Sequence, residues 1–142
     1  MKKTAEAVSL GHPDKTADYI SSYILDQMIE QDPKVKYAVE VMIKDNTVIL
    51  GGEISGDVSL AKVNFYVTEA LAEIGYDAFY SQRWGKCAIE PDKIQVINLI
   101  GQQSDDINQG VTRDAWGDQG VFVGYACKGP DHISREQYLA KK

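Results

Sequence analysis

Val35-Lys36-Tyr37-Ala38-Val39-Glu40-Val41-Met42-Ile43-Lys44-Asp45-Asn46-Thr47-Val48-Ile49-Leu50-Gly51-Gly52-Glu53-Ile54 decides the fold class. Val35, Tyr37, Val39, Val41 and Ile43 alternate with Lys36, Ala38, Glu40, Met42 and Lys44. That period of two describes a strand with one apolar face. Asp45-Asn46 is turn chemistry, and Thr47–Ile54 reads as the returning strand. The pair predicts a hairpin. Gly51-Gly52 weakens the strand end and points to close approach by backbone or ligand.

Helical spacing flanks the hairpin. Pro13 suits a first helical position, where a missing N–H costs nothing. Ala17, Ile20, Ile24 and Met28 recur behind it, Leu25 and Ile29 widen the stripe, and Asp32-Pro33 stops the helix. Asp57 or Ser59 can cap a second helix with the stripe Leu60, Val63, Val67, Leu71 and Ile74, ended by Gly75. Residues 76–86 read as an aromatic-bearing loop. Cys87–Glu90 and Ile94–Ile100 read as strands joined by Pro91-Asp92. Residues 101–120 hold four Gly, four Gln and four Asp, and connections this long are usually functional. Val121–Ala126 reads as a short strand. Ser134 and Gln137 form a capping box for a helix of barely two turns before Lys142. Helices mixed with mainly antiparallel strands make an α+β pattern.

Composition limits what such a chain can do. With 142 residues, length alone predicts about one domain. Apolar residues are 44% and charged residues 25%, as in ordinary globular proteins. Fifteen basic against 21 acidic residues give a net charge of −6, which argues against binding nucleic acid or anionic lipid by bulk charge. Cys87 and Cys127 are too few for a disulfide framework or a multi-cysteine zinc site. No apolar run is long enough to span a membrane, and the expected location is cytoplasmic.

Several residues could carry chemistry. His12-Pro13-Asp14-Lys15 places an imidazole, a carboxylate and an ammonium at a helix start, where backbone N–H groups favour phosphate. Asp14 is a hard oxygen donor suited to Mg²⁺. His12 can donate a proton or hydrogen bond to a leaving oxygen. The competing reading is a capped helix with solvated charges, since no GxxxxGK[ST] loop is present. Glu40 lies on the less apolar strand face, where a surface ion pair is the ordinary role. Glu53 beside two glycines can receive an ammonium group or be an ordinary turn carboxylate. Gln103-Ser104-Asp105-Asp106-Ile107-Asn108-Gln109-Gly110 reads as a catalytic lid or as a solvated loop. Gly117-Asp118-Gln119-Gly120 could wrap a ligand or turn the chain.

Taken together, these motifs resemble a known family. Glu6-Ala7-Val8-Ser9-Leu10-Gly11-His12-Pro13-Asp14-Lys15 is similar to the opening signature of the S-adenosylmethionine synthetases (methionine adenosyltransferases). Gly51-Gly52-Glu53-Ile54, Ile74-Gly75-Tyr76, Gln103-Ser104 to Gln109-Gly110-Val111, and Gly117-Asp118-Gln119-Gly120 with Gly124-Tyr125-Ala126 follow in that family's order. The resemblance implies a portion of a three-domain, pseudo-repeated α+β subunit. Within it, 1–12 would be a lead-in strand and 13–100 a helix, hairpin, helix and strand unit. Residues 101–120 would be the gating-loop region, and 121–142 a strand and the start of a helix. It also implies formation of S-adenosylmethionine, phosphate and pyrophosphate from ATP and L-methionine. The matching roles are His12 at the ATP triphosphate near the breaking bond, Asp14 on Mg²⁺ and Glu40 on K⁺. Glu53 and Gln103 would contact methionine, Gln103–Gly110 would gate the site, and Asp118 would line the ATP site.

Four positions depart from the family pattern: Leu10 where Glu is usual, Asp105 where Pro is usual, and Ala115-Trp116 where Gly-Ala is usual. The glycine-rich GGGAFSxKD-type signature and the downstream Lys, Arg and Asp residues that hold triphosphate and methionine are absent. The resemblance therefore implies roughly the first third of a subunit, inactive or nearly so alone. Three readings follow. The chain is one part of a split, hetero-oligomeric synthetase completed by a second polypeptide. It is a non-catalytic regulatory or assembly subunit that binds a synthetase. Or it is a fragment without an independent role.

Overall fold

A computed structural model of the protein describes residues 2–85, 89–102, 121 and 123–142. The chain divides into two compact units, one of Leu10–Asp105 and one of Met1–Ser9 with Asp106–Lys142.

In the first unit, α1 (Pro13–Gln31) is followed by β1 (Lys36–Lys44) and β2 (Thr47–Ser55). A 3₁₀ turn over Leu60–Lys62 leads into α2 (Val63–Ile74), then a short α3 (Tyr80–Trp84), a 3₁₀ turn over Pro91–Lys93, and β3 (Gln95–Gln102). The order β1-β2-β3 makes a three-stranded sheet with β2 in the middle. The expected hairpin is present: β1 and β2 pair antiparallel, with Lys44 opposite Thr47 and Lys36 opposite Ser55. Asp45 takes a left-handed φ of 52° at the turn. β3 joins β2 parallel, with Thr47 opposite Gln95 and Ile54 opposite Gln102. The sheet is therefore mixed rather than mainly antiparallel. The cause lies in the connection: α2 carries the chain back along the sheet, and a crossover of that kind delivers a parallel strand.

One face of the sheet is covered by the two long helices. Ile20, Ile24 and Met28 of α1, Val39 and Ile43 of β1, Val48, Leu50 and Ile54 of β2, and Val63, Val67, Ala70 and Leu71 of α2 are buried together. The α1 stripe matches its periodicity except at Ile29, which is 43% exposed, while Thr16 is buried instead. Ser59 accepts from the Ala61 N–H and caps the turn before α2, and Gly75 ends α2 with φ 117°. Polar bonds fix the seams. Tyr37 donates to the Ser21 carbonyl at 3.0 Å, and Ser21 donates to the Val39 carbonyl at 3.0 Å, clamping α1 to β1. Tyr19 donates to Glu73 and ties α1 to α2. At the far end of α1, the two Asp32 carboxylate oxygens accept from the Lys34 and Asp57 N–H groups. Gln31 accepts from the Ser59 N–H at 2.9 Å.

Gly52 has φ +130°, and a Cβ there would lie 2.0 Å from the Ala38 carbonyl oxygen. The double glycine thus reflects a close backbone approach at Gly52. At Gly51 a Cβ would meet nothing within 4 Å, so that position is open.

The second unit contains a 3₁₀ turn (Pro130–His132) and α4 (Arg135–Ala140), whose cap is Ser134 accepting from the Gln137 N–H as its sequence predicts. Of the strands expected over 1–12 and 121–126, the described residues 2–9, 121 and 123–126 join no ladder among the described residues. A strand exists only with a neighbour to take its N–H and C=O groups. Of the expected strand 87–90, Ile89 and Glu90 are irregular and the rest lies outside the described residues. The expected loop at 76–86 contains α3.

Two substitutions test these seams. Gly52→Ala should destabilise the fold by roughly 1 kcal/mol or more, because the methyl group meets backbone rather than a movable side chain; denaturant melts measure it. The N–H groups of Lys34 and Asp57 hold the Asp32 carboxyl below its ordinary range. A depressed folded value means the contribution is complete above the unfolded value of about 3.9 and is lost as pH falls through the folded one. Asp32→Ala should therefore lower Tm at neutral pH and leave a shallower acid loss; an unchanged Tm-against-pH curve would contradict the assignment.

Candidate functional site

His12 is the N-cap of α1. Its backbone is extended (φ −67°, ψ 136°), and its Nδ1 accepts from the Asp14 N–H at 3.2 Å. Its carbonyl accepts the first helical bond, from the Thr16 N–H at 2.8 Å. Pro13 at the next position has no N–H to satisfy. With Nδ1 used as an acceptor, the neutral ring carries its proton on Nε2. The cap thus sets the tautomer and leaves Nε2–H as the donor of the half-buried ring.

The chain leading into His12 is pinned by two hydroxyls. Buried Thr16 donates from Oγ1 to the Leu10 carbonyl at 2.9 Å. Tyr76, beyond the end of α2, donates from Oη to the Gly11 carbonyl at 3.3 Å. A Cβ on Gly11 would come within 3.0 Å of that hydroxyl oxygen, so the glycine leaves room for the contact. The Tyr76 ring packs edge-on against Tyr80 of α3, with centroids 4.8 Å apart. Thr16 and Tyr76 position His12, and periodicity alone did not mark them. The available signal was a tyrosine directly after the glycine that ends α2.

Asp14 lies exposed in the first turn of α1, where the helix dipole favours an anion. Asp14 and Asp18, one turn apart, line a cavity of about 240 Å³ with Val41, Met42 and Ile43 of β1.

Glu40 and Glu53 lie elsewhere, on the sheet face away from the helices. The register places Ala38, Glu53 and Gly101 in one row, Glu40, Gly51 and Leu99 in the next, and Met42, Ile49 and Ile97 in a third. The two residues are diagonal neighbours, with Cα atoms roughly 7–8 Å apart by ordinary strand geometry. Ala38, Gly51 and Gly101 give them a low floor, while exposed Met42, Leu99 and Ile97 form an apolar border. Glu40 is exposed and Glu53 half-buried. Burial raises the Tyr37 hydroxyl above its ordinary pKa, and the charge of Glu40 adds to it.

Within this chain the sheet separates His12 and Asp14 from Glu40 and Glu53. Among the described residues, no three metal-capable side chains come together. Gln103, Ser104, Asp105, Asp106, Ile107, Asn108, Gln109, Gly110 and Asp118 lie outside the described residues, as do Trp116 and Cys87. No helix among the described residues is long and apolar enough to cross a membrane.

The fold and these side chains define an α+β module, two helices on one face of a mixed sheet and a carboxylate pair on the other. Residues 1–105 match the family model described as S-adenosylmethionine synthetase, N-terminal domain. The S-adenosylmethionine synthase of Wolinella succinogenes is 41% identical over 130 residues, covering 88% of this chain and 32% of that protein. That of Helicobacter pylori strain J99 is 42% identical over 130 residues, with the same coverage of 88% and 32%. The solved structure of an unusual S-adenosylmethionine synthetase from Campylobacter jejuni superposes with a TM-score of 0.75 at 30% identity, covering 94% of this chain and 33% of that one. The chain belongs to the S-adenosylmethionine synthetase family, and it spans about a third of the length of the relatives it matches.

The cap makes a prediction that separates structure from chemistry. His12→Ala should cost about 0.5–2 kcal/mol of stability, whereas His12→Asn, itself a good N-cap, should restore most of it. Thermal melts followed by circular dichroism test this; equal losses in the two variants would contradict the capping role.

Proposed function

We propose that this chain is the N-terminal part of a split S-adenosylmethionine synthetase. In this reading it forms S-adenosylmethionine from ATP and L-methionine with a second polypeptide that carries the remaining synthetase segments. The observation that supports this most is His12: the first family motif falls on an N-cap whose Nε2–H is left to donate. In the reaction the methionine sulfur attacks C5′ of ATP, and the C5′–O bond breaks. The sulfur becomes a sulfonium, and tripolyphosphate leaves with the bonding pair. Water then cleaves tripolyphosphate to pyrophosphate and phosphate.

Each residue has a physical task on this reading. His12 donates from Nε2 to the oxygen on which charge develops, and its capped geometry needs no reorganisation to do so. Glu53 takes the methionine ammonium over the low floor of Ala38 and Gly101. Gln103 contacts methionine, and residues 103–110 gate the site. Asp118 lines the ATP pocket. Asp14, an exposed carboxylate at a helix start, suits Mg²⁺, which takes one or two carboxylates and completes its shell with water and phosphate oxygens. Glu40 would take K⁺. Bound Mg²⁺ neutralises the triphosphate charge. The parts on this chain are mostly carboxylates, so the remaining cations belong to the other segments. The chain alone is therefore expected to be nearly inactive, and it works in the cytoplasm.

A second reading has one observation in its favour. Leu10, 54% exposed, stands where the family usually carries Glu, as it could in a regulatory subunit released from catalysis.

Reconstitution decides between them. The chain is mixed with a polypeptide comprising the remaining two-thirds of the Wolinella succinogenes synthase, ATP, methionine, Mg²⁺ and K⁺. Product is expected only from the mixture, and His12→Asn should reduce its rate about 10²-fold or more without preventing association. A stable complex without product, or product indifferent to His12→Asn, would favour the regulatory reading.

A further inference from the structure

Gly11 is held to its residue type by space. Its backbone is not in the left-handed region, so no turn demands a glycine there. Among the described residues beyond its chain neighbours, a Cβ on Gly11 would meet only Tyr76: the hydroxyl oxygen at 3.0 Å and the ring carbon Cζ at 3.9 Å. A side chain at position 11 and a hydroxyl at position 76 therefore compete for one place. The two positions lie 65 apart in sequence, in the separate motifs Gly11-His12-Pro13-Asp14-Lys15 and Ile74-Gly75-Tyr76.

The end of α2 aims the hydroxyl. Gly75, at φ 117°, turns the chain, and the Tyr76 N–H then donates to the Leu71 carbonyl at 2.9 Å. The ring is half-buried against the core and edge-on to Tyr80. Its Oη reaches the carbonyl of Gly11, which shares a planar peptide with the His12 nitrogen. Holding that carbonyl restrains rotation at His12 and so the direction of the imidazole. Thr16, the other hydroxyl at this corner, is buried, and its loss would disturb the packing of α1. The Tyr76 bond lies at the surface, where one oxygen can be removed by itself.

We infer that Tyr76 is a positioning residue for the proposed reaction, with Gly11 as its seat: the Tyr76 hydroxyl, acting through the Gly11 carbonyl, fixes the direction in which His12 presents Nε2–H. The effect falls on the chemical step and not on binding, because a misdirected donor leaves the other contacts to ATP and methionine in place. The kinetic part rests on the split-synthetase reading, whereas the hold on His12 belongs to this chain alone.

The test uses the full chain, first alone and then with the same Wolinella succinogenes polypeptide. Tyr76→Phe keeps the ring and removes only the oxygen. In the isolated chain, nitrogen NMR of labelled histidine should show the single Nε2–H tautomer of His12 replaced by a mixture of both tautomers, with the melt nearly unchanged. His12→Asn separates the His12 signals from those of His132. In the mixture, Tyr76→Phe should lower kcat about tenfold or more and leave both KM values within about twofold of the parent's. Gly11→Ala should act in the same direction, and adding it to Tyr76→Phe should cost nothing further, since the lost oxygen makes room for the methyl group. His12 signals in Tyr76→Phe identical to the parent's, an unchanged kcat beside altered signals, or single-variant losses that multiply in the double variant would each overturn the inference. Product from no mixture would overturn the split reading and the kinetic part with it, while altered His12 signals would still support the hold of Tyr76 on the histidine.

Discussion

The seating of α1 in the angle between β1 and α2 is the constraint on which the rest of the first unit depends. Ile20, Ile24 and Met28 are fully buried there, and Ser21 and Tyr37 fix the helix along the strand. Burying three such side chains contributes several kcal/mol, at roughly 1.5–3 kcal/mol each. That energy also holds both helix ends at defined places. At one end the Asp32 carboxylate gathers the loop after β2. At the other, Thr16 and Tyr76 grip the carbonyls of Leu10 and Gly11, so His12 enters the helix at one angle and as one tautomer.

A single apolar helix face therefore positions the imidazole, but it does so on only one side of the sheet. The sheet's other side carries Glu40 and Glu53, and their spacing comes from strand register alone. Gly52 makes that register tight, since its missing Cβ lets the Ala38 carbonyl approach, and Gly51 clears the surface between the carboxylates. The two halves of the candidate site thus lie on different faces of the sheet. On the proposed reading, they serve different edges of sites completed by other segments.

Much of this was legible in the chain. The alternation over 35–54 gives the hairpin because one face is buried and the other is not. Pro13, Gly75 and Ser134 mark helix ends because capping is local chemistry. The parallel placement of β3 was not legible, since pairing partners far apart in sequence leave no local pattern. Ile29 fits the helical stripe but lies outside the contact area, because periodicity gives a direction and not the width of the neighbour. The family motifs mark His12, Asp14 and Tyr76 but not what Tyr76 does, and Thr16 lies in no motif, because both hold that corner through backbone carbonyls.

That residues 2–9, 121 and 123–126 join no ladder among the described residues has the same physical root. Propensity for a strand resides in side chains, but the strand itself is a property of a pair. Val121, Val123 and Tyr125 have the composition of a half-buried strand and the exposure of a surface. A local sequence asks for burial that the described part of the chain does not provide. Local preference and tertiary outcome usually agree in a sequence that specifies its own fold. Where they disagree at 121, 123 and 125, the proposed reading supplies a surface for these side chains to pack against. The net charge of −6 fits the same account: on the proposed reading, the acidic side of a polyanion-binding site is drawn from this chain, and the cations that make it work come from ions and from the surface that covers it.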